Sequence, residues 1–172
     1  HEFVEAIKTD LIYDEVYVFT PKGKIVNLKS GSTPIDFAYE LHTELGNKAI
    51  ACRVNRKFAP LNIRLENGQS IEIISSDKQE VSPDWLNFVV TSKARSSIRL
   101  ALRNQKISQS RKAGKLMLEN ELRRGGITLD HYRGSKMSRI LEMLGVKSLN
   151  ELLTDLGSGK KTGALVAERF FS

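Results

Sequence analysis

The hydrophobic period of this 172-residue chain changes once, and that change limits what the chain can fold into. Up to about residue 76 the apolar residues come in short runs separated by turn residues. After a polar break at 77–83 they recur at helical spacing to the end. The order is strands around one helix, then helices only, which reads as α+β. We expect a domain at 13–76, a helical domain at 82–172, and an entering helix or linker at 1–12, where Phe3, Ile7 and Leu11 are helically spaced.

Within the first block, residues 16–20 (VYVFT) are aromatic and β-branched, as strands are. Pro21-Lys22-Gly23-Lys24 is a turn, and 25–28 (IVNL) is the return strand, so the two form a hairpin. Thr33 is a candidate N-cap, Pro34 sits where its missing N–H matters least, and Asp36 lies near the positive end of the helix dipole. The spacing predicts one helix over 34–45, striped with Ala38, Leu41 and Leu45 and closed by Gly46. A strand at 49–54 would put Ile50, Cys52 and Val54 on one face. Extended segments around 63–65 and 70–74 flank the Asn67-Gly68 turn signal. One helix across a small mixed sheet is the packing of a ubiquitin-like β-grasp.

The second block predicts a helix from Trp85 to about Asn104, with Leu86, Val89, Val90, Ile98 and Leu102 available for a core. A second helix covers about 110–124 and offers Leu116, Met117, Leu118 and Leu122. It stops at Gly125-Gly126. Shorter amphipathic pieces come after it at 136–144, 149–156 and 162–171.

Charge respects the same division. The formal net charge is +7, yet residues 1–76 hold nine Lys/Arg against ten Asp/Glu, and the rest holds eighteen against ten. No acidic residue lies between Asp84 and Glu119, a stretch containing Lys93, Arg95, Arg99, Arg103, Lys106, Arg111, Lys112 and Lys115. Such a block is either a solvated helix face or an attractor for polyanions and acidic proteins.

Several function classes lose ground on composition. No apolar run is long enough to span a membrane, and the start lacks the order of a signal peptide. One cysteine makes neither an internal disulfide nor a zinc cluster and fits a reducing cytoplasm. Histidines at 1, 42 and 131 have no metal-ligand spacing. Gly157-Ser158-Gly159-Lys160-Lys161-Thr162-Gly163 resembles a phosphate loop only in composition, because helical sequence rather than a buried strand precedes it. Cys52 reads as a buried small hydrophobe, and Asp14, Glu15, Asp36 and Glu40 read as ordinary surface carboxylates. We expect no catalytic residue, metal or cofactor. A start at His1 rather than Met points to a piece of something longer.

His42 stands in the segment FAYELHTELG and reads as an exposed shoulder residue of the 34–45 helix. The wider segment VYVFTPKGKIVNLKSGSTPIDFAYELHTELG resembles the start of a TGS domain, the β-grasp module of threonyl-tRNA synthetases, certain GTPases and stringent-response enzymes. The continuation WLNFVVTSKARSSIRLALR resembles the region after the TGS domain in RelA/SpoT homologues, more the SpoT or bifunctional Rel type than the RelA type. The editing-domain sequence of a threonyl-tRNA synthetase does not come next. Beyond about Arg123 only the helical character and position agree.

The resemblance implies a cytoplasmic regulatory fragment of a guanosine tetra- and pentaphosphate synthetase/hydrolase, itself without the catalytic half. It implies that the TGS domain clasps the 3′-CCA end of deacylated tRNA on the ribosome. His42 then occupies the histidine of the Tyr-x-x-His-Thr motif, and Lys93 and Arg95 flank the tRNA path. Imidazole suits unpaired bases, because stacking on a flat side chain contributes about 1–3 kcal/mol per base. Cations on phosphates would add affinity without base specificity. The SpoT-type resemblance alternatively implies that the TGS region docks acyl carrier protein, an acidic helical partner, and a helical half with the basic patch Arg99, Arg103, Lys106, Arg111 and Lys112 suits either partner. A third role is intramolecular, relaying state to the catalytic domains.

Overall fold

The computed structural model describes residues 14–172, so the helix expected over 2–11 lies outside the described residues. Two compact units divide between Leu102 and Arg103. The polar break at 77–83, expected as the boundary, falls inside the first.

The first unit opens with the hairpin the turn residues require. Strands β1 (Glu15–Phe19) and β2 (Ile25–Lys29) pair antiparallel, and Gly23 takes a φ of 86° in the connection. Next come two short helices, α1 (Pro34–Leu41) and α2 (Thr43–Asn47), then strands β3 (Ala49–Val54), β4 (Lys57–Ala59) and β5 (Ile71–Ser75). The second sheet has the order β4-β3-β5, all antiparallel. A parallel bridge between Phe19 and Ser70 joins β1 to the start of β5. This is the mixed sheet with a helix laid across it that the β-grasp reading expects.

Three details differ from the sequence reading. Residues 63–65 form no strand: the Leu65 N–H reaches the Ser32 carbonyl instead, and the partner of β3 is β4, closed by a turn at Asn55 and Arg56. Ile50 does not share a face with Cys52 and Val54. From Ala49 to Ala51 the strand advances two residues while β5 moves one, so Ile50 is the extra residue of a bulge and is exposed. The 34–45 helix is two helices, and Gly46 lies within α2, where an added Cβ would collide with the Tyr39 ring.

Helix α1 starts as its sequence signals. The Thr33 hydroxyl accepts from the Asp36 N–H, Asp36 accepts from the Thr33 N–H, and Pro34 occupies the first turn. Every residue from Pro34 to Tyr39 is buried, because α1 packs on two sides. Phe37 joins Val18, Leu28, Cys52 and Ile71, while Ile35 and Tyr39 join Val81, Trp85, Val89 and Ile98.

The expected helix from Trp85 is instead a 3₁₀ turn, Pro83–Asn87, separated from a long helix α3 (Ser92–Arg124). The Val90 and Thr91 N–H groups are taken by a buried side chain rather than a helical ladder, and the Thr91 hydroxyl caps the Ala94 N–H. The two helices expected over 85–104 and 110–124 are continuous, since residues 104–110 contain neither Gly nor Pro to stop them.

Past Leu102, α3 packs with α4 (Ser135–Met143), α5 (Leu149–Gly157) and α6 (Gly163–Phe171), after a 3₁₀ turn at Leu129–His131. The core holds Leu118, Leu122, Ile140, Leu152, Leu153, Leu156, Val166 and Phe170. Leu116 and Met117, offered to the core by the sequence reading, are exposed. Gly126 ends α3 with φ 76°, and Gly145 comes after α4 with φ 72°. Two other glycines permit close approach instead. A Cβ on Gly114 would overlap the Leu153 carbonyl oxygen, and one on Gly157 would overlap that of Ser110. There α3 and α5 cross with backbone against backbone. The Gly-rich segment after Gly157 is a turn between helices, and no helix among the described residues is long and apolar enough to cross a membrane.

Candidate functional site

His42 is not on a helix shoulder but at a break. Its backbone is extended (φ −166°, ψ 133°), ending α1 and starting α2. Its N–H donates to the Ala38 carbonyl, and its Nδ1 accepts from the Glu44 N–H at 3.3 Å, so the ring itself caps α2. Using Nδ1 as acceptor places the proton of the neutral ring on Nε2, which has no hydrogen-bond partner among the described residues. The ring is exposed.

The helix carrying this histidine is anchored at its other end by Asp36. This carboxylate has no exposed surface. It accepts from the Thr33 N–H and hydroxyl, from the Val90 N–H, and from the Thr91 N–H (2.9 Å) and hydroxyl (2.8 Å). A buried carboxylate is tolerable when hydrogen bonds replace its water, and here donors on two segments do so. The reading of Asp36 as a surface carboxylate is therefore corrected. Its Thr-Pro-x-Asp context signalled a cap, but the other donors are 54 and 55 residues away and left no local trace. Glu40, by contrast, is exposed as expected.

Lys93, at the start of α3, places Nζ 3.4 Å from the Glu40 carbonyl oxygen, two residues before His42. Lys93 and the His42 break are thus brought together. Arg95 turns elsewhere: it is half-buried, and Nη2 donates to the Val89 carbonyl at 2.8 Å. Arg64 escaped the sequence reading and does a similar job, donating to the carbonyls of Gly31 and Phe88. Both guanidiniums tie the 88–91 segment in place. Arg99, Arg103, Lys106, Arg111 and Lys112 are all exposed on α3, Arg99 in the first unit and the others in the second.

Beside His42, Lys48 bonds Glu44 (2.6 Å) and Asp77 (3.0 Å). The Lys48 hydrogen bond holds the Glu44 carboxyl below the usual carboxylate range, and Glu44 in turn raises the Lys48 amine. Tyr39, under Gly46, donates to Asn47, and burial pushes its phenol up. Burial also raises the Cys52 thiol, which donates to the Ala59 carbonyl and packs in the core of the first unit. Among the described residues no cluster of three His, Cys, Asp or Glu could hold a metal ion.

Two family models match this chain in order, a TGS domain over residues 16–75 and a RelA/SpoT AH domain over 101–171. The bifunctional (p)ppGpp synthase/hydrolase SpoT of Escherichia coli K12 is 41% identical over 97% of the chain and 24% of its own length. The bifunctional (p)ppGpp synthase/hydrolase RelA of Mycobacterium tuberculosis is 36% identical over 99% of the chain and 24% of its length. The GTP pyrophosphokinase of Myxococcus xanthus is 37% identical over 98% of the chain and 22% of its length. The chain thus spans about a quarter of the length of these relatives and matches them through TGS and AH regions. With a β-grasp TGS domain and an AH helical domain in that order, the chain belongs to the RelA/SpoT homologues.

Proposed function

We propose that this chain is the regulatory segment of a cytoplasmic stringent-response enzyme that makes and hydrolyses (p)ppGpp, and that it carries no catalysis of its own. Its TGS domain takes the 3′-CCA end of deacylated tRNA on the ribosome. The observation that carries the reading is the His42 ring, exposed at a helix break and oriented through Nδ1. A ring oriented by this cap loses less entropy than a free one when an unpaired base stacks on it, and Nε2–H remains to donate to a base or phosphate. Lys93, beside the carbonyl of Glu40, supplies a cation within the same neighbourhood. Arg95 contributes by holding the 88–91 segment under α1.

The test is binding of deacylated tRNA against the same tRNA trimmed of its CCA end. Intact tRNA is expected to bind at least about tenfold tighter, and His42→Ala should erase that difference. Equal affinity for both, unchanged in the variant, overturns the reading.

A second reading, favoured by the exposed cations of α3, gives the segment an acidic protein partner, with acyl carrier protein as the candidate. Either partner, once bound, would be relayed to the catalytic domains of the longer enzyme.

A further inference from the structure

The second unit contains a groove of about 560 Å³, within the ordinary size range of ligand-binding clefts. One wall is a single stripe of α3, because Arg111, Lys115, Glu119 and Arg123 are spaced four apart. The other wall is the start of α5. The floor is aliphatic, formed by Ile127, Leu129, Leu149 and Leu153.

The floor exists because α3 and α5 cross at glycine. Gly114 meets the carbonyl of Leu153, so the two helices diverge from a backbone contact and leave an apolar cleft beside it. The charge around it is positive. Lys112 adds to the stripe, and neither it nor Arg111 has a carboxylate partner among the described residues. Lys115 approaches Glu119 only at 3.9 Å, and Asp130 faces Arg133 at 3.4 Å. Leu149 and Asn150 form the first turn of α5, whose start is already capped by the Ser148 hydroxyl and the Glu151 carboxylate, so the positive rim comes from the α3 stripe.

We propose that this groove docks an acidic, amphipathic segment of another protein, which places aliphatic side chains on Leu149 and Leu153 and carboxylates against Arg111, Lys112 and Arg123. The lining chemistry selects this occupant over a nucleic acid. Unpaired bases stack chiefly on aromatic rings, none of which lines the groove; Arg111 and Arg123 could hold phosphates or bases at the rim, but neither use covers the aliphatic floor. A Leu-lined floor with a cationic rim is instead the complement of a helix-in-groove ligand whose polar face is acidic. The proposal gives the acidic-partner reading a location and rests on it for the sign of the partner's charge. It is separate from the CCA reading, since His42 and Lys93 are not involved.

The test titrates the 172-residue chain with a synthetic peptide of about 14 residues, Leu at helical spacing among Glu, monitored by fluorescence anisotropy and by backbone amide shifts. Two controls replace every Leu by Ser, or the whole peptide by single-stranded RNA. Micromolar binding is expected for the Leu-containing peptide, with shifts at 111–130 and 149–153 and weakening of at least about tenfold at high salt. Arg111→Glu with Lys112→Glu changes only exposed side chains and should also lower affinity about tenfold. Leu149→Gln should lower affinity for the peptide but not for RNA. Failure of the Leu peptide to bind overturns the proposal, as does equal binding by the Ser control or RNA, or equal binding by the charge-reversed chain. Trimmed and intact tRNA run on the same charge-reversed chain report separately on the CCA reading.

Discussion

In the first unit the central helix is held by a side chain; in the second, the crossing helices are held by the lack of one. Helix α1 is pinned by Asp36, a buried charge whose oxygens accept from protein donors on two segments. Helices α3 and α5 touch through Gly114 and Gly157, where carbonyl oxygens occupy the space a Cβ would need. The polar device is directional and fixes orientation, since N–H and O–H groups must point at the carboxylate. The glycine device is steric: it sets a distance. On the function proposed above the difference is fitting, because there the first unit presents one histidine in a defined pose whereas the second offers a surface.

The contrast is most severely tested at the glycines. Gly157→Val places methyl groups into the Ser110 carbonyl, and the helices must separate. The expected loss is at least about 3 kcal/mol, confined to the helical transition in denaturant unfolding monitored by circular dichroism. If Gly157→Val leaves that transition unchanged, the crossing is not what holds the unit together.

Asp36→Ala comes next. It leaves buried N–H and hydroxyl donors without an acceptor, for an expected loss of about 2–3 kcal/mol. Hydrogen exchange should rise at Val90 and Thr91, and the near-ultraviolet signal of Trp85 should change. Retained protection at those two amides would show that the carboxylate does not anchor the segment.

His42→Ala tests the presentation instead of the anchoring. Its cap to Glu44 is long at 3.3 Å. The stability loss should therefore stay within about 1 kcal/mol. The CCA-dependent part of tRNA binding should vanish all the same. A large loss of stability would recast the residue as structural.

The smallest effect concerns pH. Glu44 has a lowered pKa in the folded state, so its contribution is present above the ordinary carboxylate range and fades as pH falls through the lowered value. Lys48 has a raised one, so its contribution is present below the ordinary amine range and fades as pH rises through the raised value. Lys48→Met should flatten both limbs of a midpoint-against-pH curve slightly. Identical curves for the two proteins would mean that the exposed pair contributes nothing to folding, as many surface pairs do.

Much of this is legible in the sequence where the signal is local. Thr33, Pro34 and Asp36 announce the start of α1, Gly23 marks the hairpin turn, and Gly126 and Gly145 stand just past the ends of their helices. Each needs only its own dihedral angles or a partner three residues away. The break at His42 escapes a sequence reading because no residue there is a breaker. Continuing one helix to Asn47 would preserve the stripe on paper, and the interruption is an extended backbone that lets the imidazole cap α2. The bulge at Ile50 is invisible for a related reason. Alternation along one strand says nothing about the count of residues on its neighbour.

Residue types and spacing therefore decided the order of a strand-rich and a helical half, most of the strands and helices, where most turns fall, and that the excess charge lies on the helical half, because these depend on interactions within a few residues. Tertiary structure alone decided that Asp36 is a buried anchor rather than a surface charge, that Arg95 faces inward while Arg99 does not, and that Gly114 and Gly157 serve contact rather than flexibility. Those roles belong to partners brought together from distant parts of the chain. A carboxylate or a missing side chain takes its meaning from the groups that pack against it.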